Sequence, residues 1–89
     1  MGQIGEIVTE VIECIYIVRG WNQRTNDYEP VESLKVHYAK TQDGYKLHSF
    51  DALSRLGETL SIPDVTDADL LEDGIQFELE YMENMKGNL

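Results

Sequence analysis

Carboxylates without counter-charges are the residues of this chain with the clearest capacity to bind something. Nine Asp and Glu residues lie from Glu58 to Glu83, a segment without Lys or Arg, and the formal net charge is −10 over 89 residues. Such a field attracts basic surfaces, keeps a small domain soluble, and repels nucleic acid phosphates and anionic lipid. We therefore expect an acidic surface that docks on a basic partner protein, formed by Asp64, Asp67, Asp69, Glu72, Asp73, Glu78 and Glu80.

The same carboxylates offer hard oxygen ligands of the kind that Ca²⁺ and Mg²⁺ prefer. Their spacing from Asp67 to Gly74 does not match an EF-hand loop, which needs acids at alternate positions, a central Gly and a final Glu. Acidic residues in the first turn of a helix account for the same pattern without a metal. The sequence therefore predicts no metal site.

Candidates for catalysis are sparse. We expect His37 and His48 on one face of a hairpin, but two imidazoles without a third ligand make a poor zinc site, and Cys14 lies in an apolar run. No Ser or Cys occurs in a nucleophile motif, and no Gly-rich phosphate loop follows a predicted strand. The sequence thus predicts a protein that is not an enzyme, with no catalytic residues and no cofactor.

The segment around the single Trp is a second candidate for interaction. Trp21 is followed by Arg24 and Tyr28, and Trp, Arg and Tyr are the residue types that dominate interface hot spots. We predict that all three contribute to partner binding, with Tyr28 the more exposed aromatic residue. The alternative for Trp21 is that its ring covers one end of the core.

The length and composition predict a single small domain. The order of predicted strands and helices, described below, places it in the α+β class, with an antiparallel sheet of about four strands and one or two short helices. Hydrophobic residues make up 42% of the chain, an ordinary globular share. No apolar run reaches the roughly 18 residues that span a bilayer, and the single Cys14 indicates a reducing compartment. We expect one domain over 1–89, with a frayed tail at 84–89, located in the cytoplasm and not bound to membranes.

The first third of the chain is ambiguous between strand and helix. β-branched and aromatic residues over 5–21 favour one long strand, bulged near Thr9 and Glu10, and the alternative is a helix over 4–13. Residues that form turns then predict a loop over 20–33.

Alternating apolar residues and the pair Asp43-Gly44 predict a β-hairpin over 34–50. A turn centred on that pair places Tyr38 opposite Ser49. The same apolar face then carries Leu34, Val36, Tyr38, Tyr45 and Leu47, and the other carries His37, Ala39, Thr41, Lys46, His48 and Phe50.

The last third is predicted to combine helical segments and a strand. Leu53, Leu56 and Leu60 share one side of a predicted helix over 51–60, which would cover the sheet. A helical turn is expected from Thr66 to Gly74. Alternation of apolar residues with Glu and Gln then predicts a final strand over 75–82.

These expectations describe a small acidic interaction module. It would act as an inhibitor or adaptor, docking its acidic face on a basic surface of a larger protein, of the type that binds nucleic acid. In size and charge, though in no sequence motif, it is similar to the compact acidic proteins with which bacteriophages mimic nucleic acid against host defences. Two alternatives stay open: a ligand-binding or sequestering domain that uses the Trp21 loop, and a self-associating subunit, such as a homodimer, that pairs through the strand 75–82.

Overall fold

The computed structural model describes residues 6–87 as a curled antiparallel sheet with one long helix packed against it. The elements in chain order are β1 (Ile7–Glu13), β2 (Arg19–Asn22), β3 (Asp27–Pro30), β4 (Ser33–Thr41), β5 (Gly44–Leu53), β6 (Thr59–Leu60) and α1 (Val65–Gly87). The four-stranded sheet has the order β1-β4-β5-β6, and β2 and β3 form a separate two-stranded sheet. The predicted α+β class with a small antiparallel sheet is confirmed.

The single strand predicted over 5–21 was wrong, because this segment forms two strands. β1 pairs with β4 in an unbroken register along its whole length, without a bulge near Thr9. The chain then changes direction, so that Val18 enters the core and its C=O accepts the N–H of Val31 at 2.9 Å. The alternative of a helix over 4–13 is also wrong for the residues of β1, and residues 4 and 5 lie outside those that the structure describes.

The loop predicted over 20–33 contains a second hairpin, formed by β2 and β3. Trp21 is paired with Tyr28, and their rings meet edge to face with centroids 5.0 Å apart. The N–H and C=O of Trp21 also bond to Ser61, at 2.7 and 2.8 Å, and attach this hairpin to the chain after β6. The residues that form turns therefore predicted the turn of this hairpin correctly. The residues on either side of the turn form strands because Trp21 and Tyr28 pack against each other across them.

The predicted hairpin over 34–50 is confirmed as β4 and β5, but its turn lies one residue earlier than expected. Thr41 is opposite Gly44, so Gln42 and Asp43 form the turn. Gly44 begins β5 with φ +120°, a conformation that other residues rarely adopt.

The strand register consequently differs from the prediction. Tyr38 lies opposite Leu47 instead of Ser49, and an irregularity between His37 and Tyr38 leaves one extra residue in β5. This bulge changes which residues face the core, so Phe50 packs against the core and not on the opposite face.

The helix predicted over 51–60 was wrong. β5 continues to Leu53, and a turn then leads into β6. The turn is specified locally: the buried Ser54 hydroxyl accepts the N–H of Glu58 at 3.1 Å, and Gly57 takes φ +82°. Leu56 is consequently exposed, whereas Leu60 is buried on β6.

The strand predicted over 75–82 was wrong, because α1 is continuous from Val65 to Gly87 and includes most of the predicted tail. Residues 88 and 89 of that tail lie outside the described part of the chain. Two apolar stripes on different sides of α1 interleave in the sequence and imitate the alternation of a strand. The self-associating alternative that depended on an edge strand here loses its structural basis.

The core lies between α1 and the concave face of the sheet. Leu71, Ile75 and Leu79, spaced four residues apart on one side of α1, are buried. From the sheet and the loops they meet Val18, Val31, Leu34, Val36, Tyr38, Ala52 and Leu60. No helix within the described residues is long and apolar enough to span a membrane.

Candidate functional site

Five acidic residues of α1 lie along one side of the helix in two groups and are here called the acid stripe: Asp69, Glu72, Asp73, Glu80 and Glu83. Helical geometry places them within about 100° of the circumference and spreads them over about 21 Å of the helix axis. All five side chains are exposed. The stripe lies on the β5 side of α1, since the Glu83 carboxylate accepts the N–H of Tyr45 at 3.3 Å.

The structure brings together four of the seven predicted carboxylates and separates the other three. Asp64 caps α1, because its carboxylate accepts the N–H of Thr66 at 2.8 Å and that of Asp67 at 3.3 Å. Asp67 and Glu78 lie on the side of α1 opposite the acid stripe, as their positions around the helix require. Glu83 joins the stripe because it follows Glu80 by three residues, a relation that the strand interpretation concealed.

The acid stripe has no cationic partner among the described side chains. Elsewhere in the described structure, Arg24 forms an ion pair with Glu58. The carboxylate of Asp51 lies 3.4 Å from Nε2 of His37. Like charges three or four residues apart on a helix repel one another, so these carboxylates do not stabilise α1. Their arrangement is suited to attracting a cationic surface from outside the molecule.

A second row of exposed side chains runs beside the acid stripe and is here called the apolar stripe: Leu70, Phe77, Tyr81 and Met85. Phe77 is 72% exposed and Tyr81 is 54% exposed. Such large apolar groups contribute nothing to the core when they point to solvent, whereas aromatic and Met side chains are enriched at protein interfaces. The solvent side of α1 thus carries adjacent acidic and apolar rows.

The predicted residues of the Trp21 segment lie on the β2–β3 hairpin, but only part of this group is available to a partner. Trp21 is half-buried, while Tyr28 is exposed, as expected. Arg24 forms a two-point contact with Glu58, with its terminal nitrogen 2.8 Å from Oε1. The hydrogen bond from Arg24 lowers the pKa of Glu58 and raises that of the guanidinium.

The buried Asn22 completes this corner of the molecule. Its side-chain oxygen accepts the N–H of Arg24 at 2.9 Å, and its amide nitrogen donates to Glu58 at 3.3 Å. The Arg24 guanidinium is therefore part of the hairpin's own structure. An anionic ligand bound by this segment would have to compete with Glu58 for the Arg24 guanidinium.

A groove separates β1 from α1 and is here called the β1–α1 groove. One end is a cleft of about 230 Å³ with Ile12, Tyr16, Gly74 and Glu78 among its walls. The other end is a more open cleft of about 320 Å³, which Glu78 also lines. Glu10, Lys40, Tyr81 and Met85 contribute to that second cleft.

Two features of the sequence form this groove. Gly74 lies against the Tyr16 ring, since a Cβ at this position would come 2.5 Å from its Cε2. Glu10 points toward the helix and accepts the hydroxyl proton of Tyr38 at 2.8 Å. Burial and this hydrogen bond raise the pKa of Tyr38 to about 12.

His37 contacts one side chain on each of the two strands beside β4. Its Nδ1 lies 2.9 Å from the Thr9 hydroxyl and its Nε2 lies 3.4 Å from the Asp51 carboxylate. Hydroxyl, imidazole and carboxylate occur in this order in hydrolytic triads. Here the three side chains link three neighbouring strands and line neither end of the β1–α1 groove. Over residues 6–87, no group of three or more His, Cys, Asp or Glu is placed to hold a metal ion.

Comparisons with protein-family models, with curated proteins and with solved structures found no match to this chain.

Proposed function

We propose that the protein is a small, non-enzymatic interaction module that docks the solvent side of α1 on a basic surface of a larger protein. The observation that supports this function is the pair of adjacent rows on that side, one acidic and one apolar, which the described residues neither neutralise nor cover. Each row lowers the stability or solubility of an isolated domain, and each becomes favourable in contact with a partner.

The charge density of the acid stripe supports a partner that is built to hold nucleic acid. Five carboxylates over about 21 Å correspond to one charge per about 4 Å of helix axis. One strand of duplex DNA carries one phosphate per about 3.4 Å. These charges form two groups, because about 10 Å of helix axis separates Asp73 from Glu80. A row of Lys and Arg built to hold phosphates would therefore meet two groups of carboxylates of similar average density, and the module would act as an inhibitor or adaptor in place of nucleic acid.

The two rows have different roles in this mechanism. The acid stripe accelerates encounter through long-range attraction, an effect that salt weakens. Phe77 and Tyr81 then supply the apolar contact area that holds the complex after the charges have met. The single Cys14 is a free thiol, which supports action in a reducing compartment such as the cytoplasm.

Affinity capture from a cell extract, quantified by mass spectrometry at low and high salt, tests this function. The stripe variant Asp69→Asn, Asp73→Asn, Glu80→Gln changes the net charge from −10 to −7. We expect proteins held by the wild type at low salt to be lost with this variant and released by added duplex DNA.

The matched control makes the same change in net charge at exposed acids outside α1, with Glu6→Gln, Glu32→Gln and Asp43→Asn. It should retain the captured proteins. Equal loss with both variants would mean that total charge and not the stripe is recognised. Capture that is indifferent to salt would contradict the electrostatic mechanism altogether.

A further inference from the structure

The outer edge of β1 presents backbone groups that are free to pair. β1 is the terminal strand of the sheet, with β4 as its neighbour among the described residues. Hydrogen bonds from Lys40 N–H to Glu6 C=O and from Cys14 N–H to Glu32 C=O show that the even-numbered residues of this strand bond to β4. Antiparallel pairs alternate, so the N–H and C=O of Ile7, Thr9, Val11 and Glu13 point away from the sheet.

Side chains of β1 that face the helix meet the β1–α1 groove. Val8, Glu10 and Ile12 have this orientation, and each is half-buried. A strand added to the edge of β1 would place alternate side chains beside these three residues, at the distances of ordinary cross-strand neighbours. Those side chains would enter the cleft at Ile12 and Tyr16.

The groove is acidic at its centre. Glu10 bonds to the neutral Tyr38 hydroxyl, and Glu78 lines both ends of the groove. Neither carboxylate belongs to an ion pair among the described side chains, which are those of residues 6–85. Lys40 lies at one end of the groove, so the middle offers two carboxylates to an incoming cation.

We propose that the β1–α1 groove binds an extended segment of a partner protein, which adds to β1 as an antiparallel strand. The bound segment has a five-residue pattern: an apolar residue first, Lys or Arg third and an apolar residue fifth, with any residue at the second and fourth positions. The central cation lies opposite Glu10 and reaches Glu78, and the two apolar residues lie beside Val8 and Ile12. Main-chain bonds supply affinity and the alternate side chains supply specificity.

Charge favours this occupant over a second copy of the chain. The sequence from Glu6 to Val18 contains no Lys or Arg, so the β1 segment of another copy would bring no cation to Glu10 and Glu78. It would instead bring its own Glu10 and Glu13 toward the edge. The carboxylates of the groove lie on the side of α1 opposite the acid stripe, although Tyr81 and Met85 of the apolar stripe also line the open end of the groove.

A displayed library of seven-residue peptides with all residues varied tests the proposal on the full chain. We expect enriched peptides to share the five-residue pattern with a central Lys or Arg. The enriched peptide should bind the double variant Glu10→Gln, Glu78→Gln at least about tenfold more weakly than the wild type. The reason is that hydrogen bonds to a charged carboxylate are stronger than hydrogen bonds to a neutral amide. No enrichment, or enrichment without a central cation, would overturn the proposal.

Amide hydrogen exchange of the wild type separates strand addition from other modes of docking. Binding of the enriched peptide should slow the exchange of Ile7, Thr9 and Val11. Val11→Pro removes one outward N–H at an edge position that tolerates Pro, and should weaken binding by a similar factor. Unchanged exchange at all three residues would exclude strand addition, even if Val11→Pro fails to fold.

Two further outcomes are decisive. The stripe variant should bind the enriched peptide as the wild type does, so failure of this site and failure of the acid stripe are distinguishable. Light scattering of the wild type should give a monomer with fast-exchanging edge amides. A dimer with protected Ile7, Thr9 and Val11 amides would assign the edge to a second copy and overturn the proposal.

Discussion

Glu58 and the acid stripe carry the same functional group in opposite surroundings. Glu58 accepts hydrogen bonds from Arg24 and Asn22, and its pKa is lowered by them. The carboxylates of the acid stripe have carboxylate neighbours at three or four residues and form no ion pair among the described side chains. Glu58 is thus part of the fold. Within the acid stripe Glu83 also bonds to the Tyr45 N–H, and the other four carboxylates are available to a partner.

The Tyr38–Glu10 pair is intermediate between these two regions. Its carboxylate accepts a neutral hydroxyl at 2.8 Å, which satisfies one oxygen without cancelling the charge. The difference teaches how to separate structural carboxylates from functional ones: structural carboxylates fix hydrogen-bond donors that would otherwise be unpaired. Removing such a group costs stability, whereas removing Asp69, Asp73 or Glu80 from the acid stripe does not.

The largest effect should come from Asn22→Ala. This change leaves the N–H of Arg24 without its acceptor and removes a donor from Glu58. Because Asn22 is buried, we expect a loss of about 1–3 kcal/mol in the free energy of unfolding. Urea denaturation measures it, with Asn84→Ala on the exposed surface of α1 as control. A loss of unfolding free energy smaller than that of the control would show that the contacts among Asn22, Arg24 and Glu58 do not stabilise the hairpin.

Tyr38→Phe should have a smaller effect that depends on pH. At neutral pH we expect a loss of about 0.5–1.5 kcal/mol for the hydrogen bond to Glu10. The pKa of Tyr38 is about 12 in the folded protein, against an ordinary value near 10. Above pH 10 the unfolded chain therefore releases this proton first, and the wild type loses up to about 1.4 kcal/mol of stability per pH unit.

Tyr38→Phe lacks that proton, so the advantage of the wild type should shrink above pH 10 and reverse before pH 12, because the linked loss exceeds the contribution of the hydrogen bond. Urea midpoints at several pH values measure this directly. Stability curves that stay parallel across this range would show that the Tyr38 hydroxyl is not protected by burial and by Glu10.

The sequence predicted those parts of the fold that are specified by neighbouring residues. The β4–β5 hairpin follows from alternation and from Asp43-Gly44, although the bulge near His37 shifted its register. The β2–β3 hairpin was missed because its strands depend on a contact between Trp21 and Ser61, far apart in the sequence. Local turn signals could not reveal that contact.

α1 was missed for a different reason. Ile75 and Leu79 are buried, Phe77 and Tyr81 are exposed, and the two pairs alternate along the chain as strand residues would. The acids of the stripe hold the information that resolves this ambiguity, since they recur at intervals of three and four residues. The β1–α1 groove could not be predicted at all, because it requires Gly74 to lie against Tyr16 in the folded chain.

The smallest effect should come from the stripe variant Asp69→Asn, Asp73→Asn, Glu80→Gln. Each like-charge pair at three or four residues costs about 0.2–0.5 kcal/mol, and this variant removes Asp69–Glu72, Asp69–Asp73 and Glu80–Glu83. Because all of these side chains are exposed, we expect the lower end of this range, a rise of about 0.6 kcal/mol in the free energy of unfolding at low salt. Urea denaturation at two salt concentrations measures this change.

Salt provides the internal control, because it screens the same repulsion in the wild type. The gain from the stripe variant should therefore diminish as the salt concentration rises. A clear loss of stability would instead mean that these carboxylates make stabilising contacts, as Glu58 does. In that case the distinction between structural and available carboxylates fails, and the proposal that the protein binds a basic partner loses its main physical support.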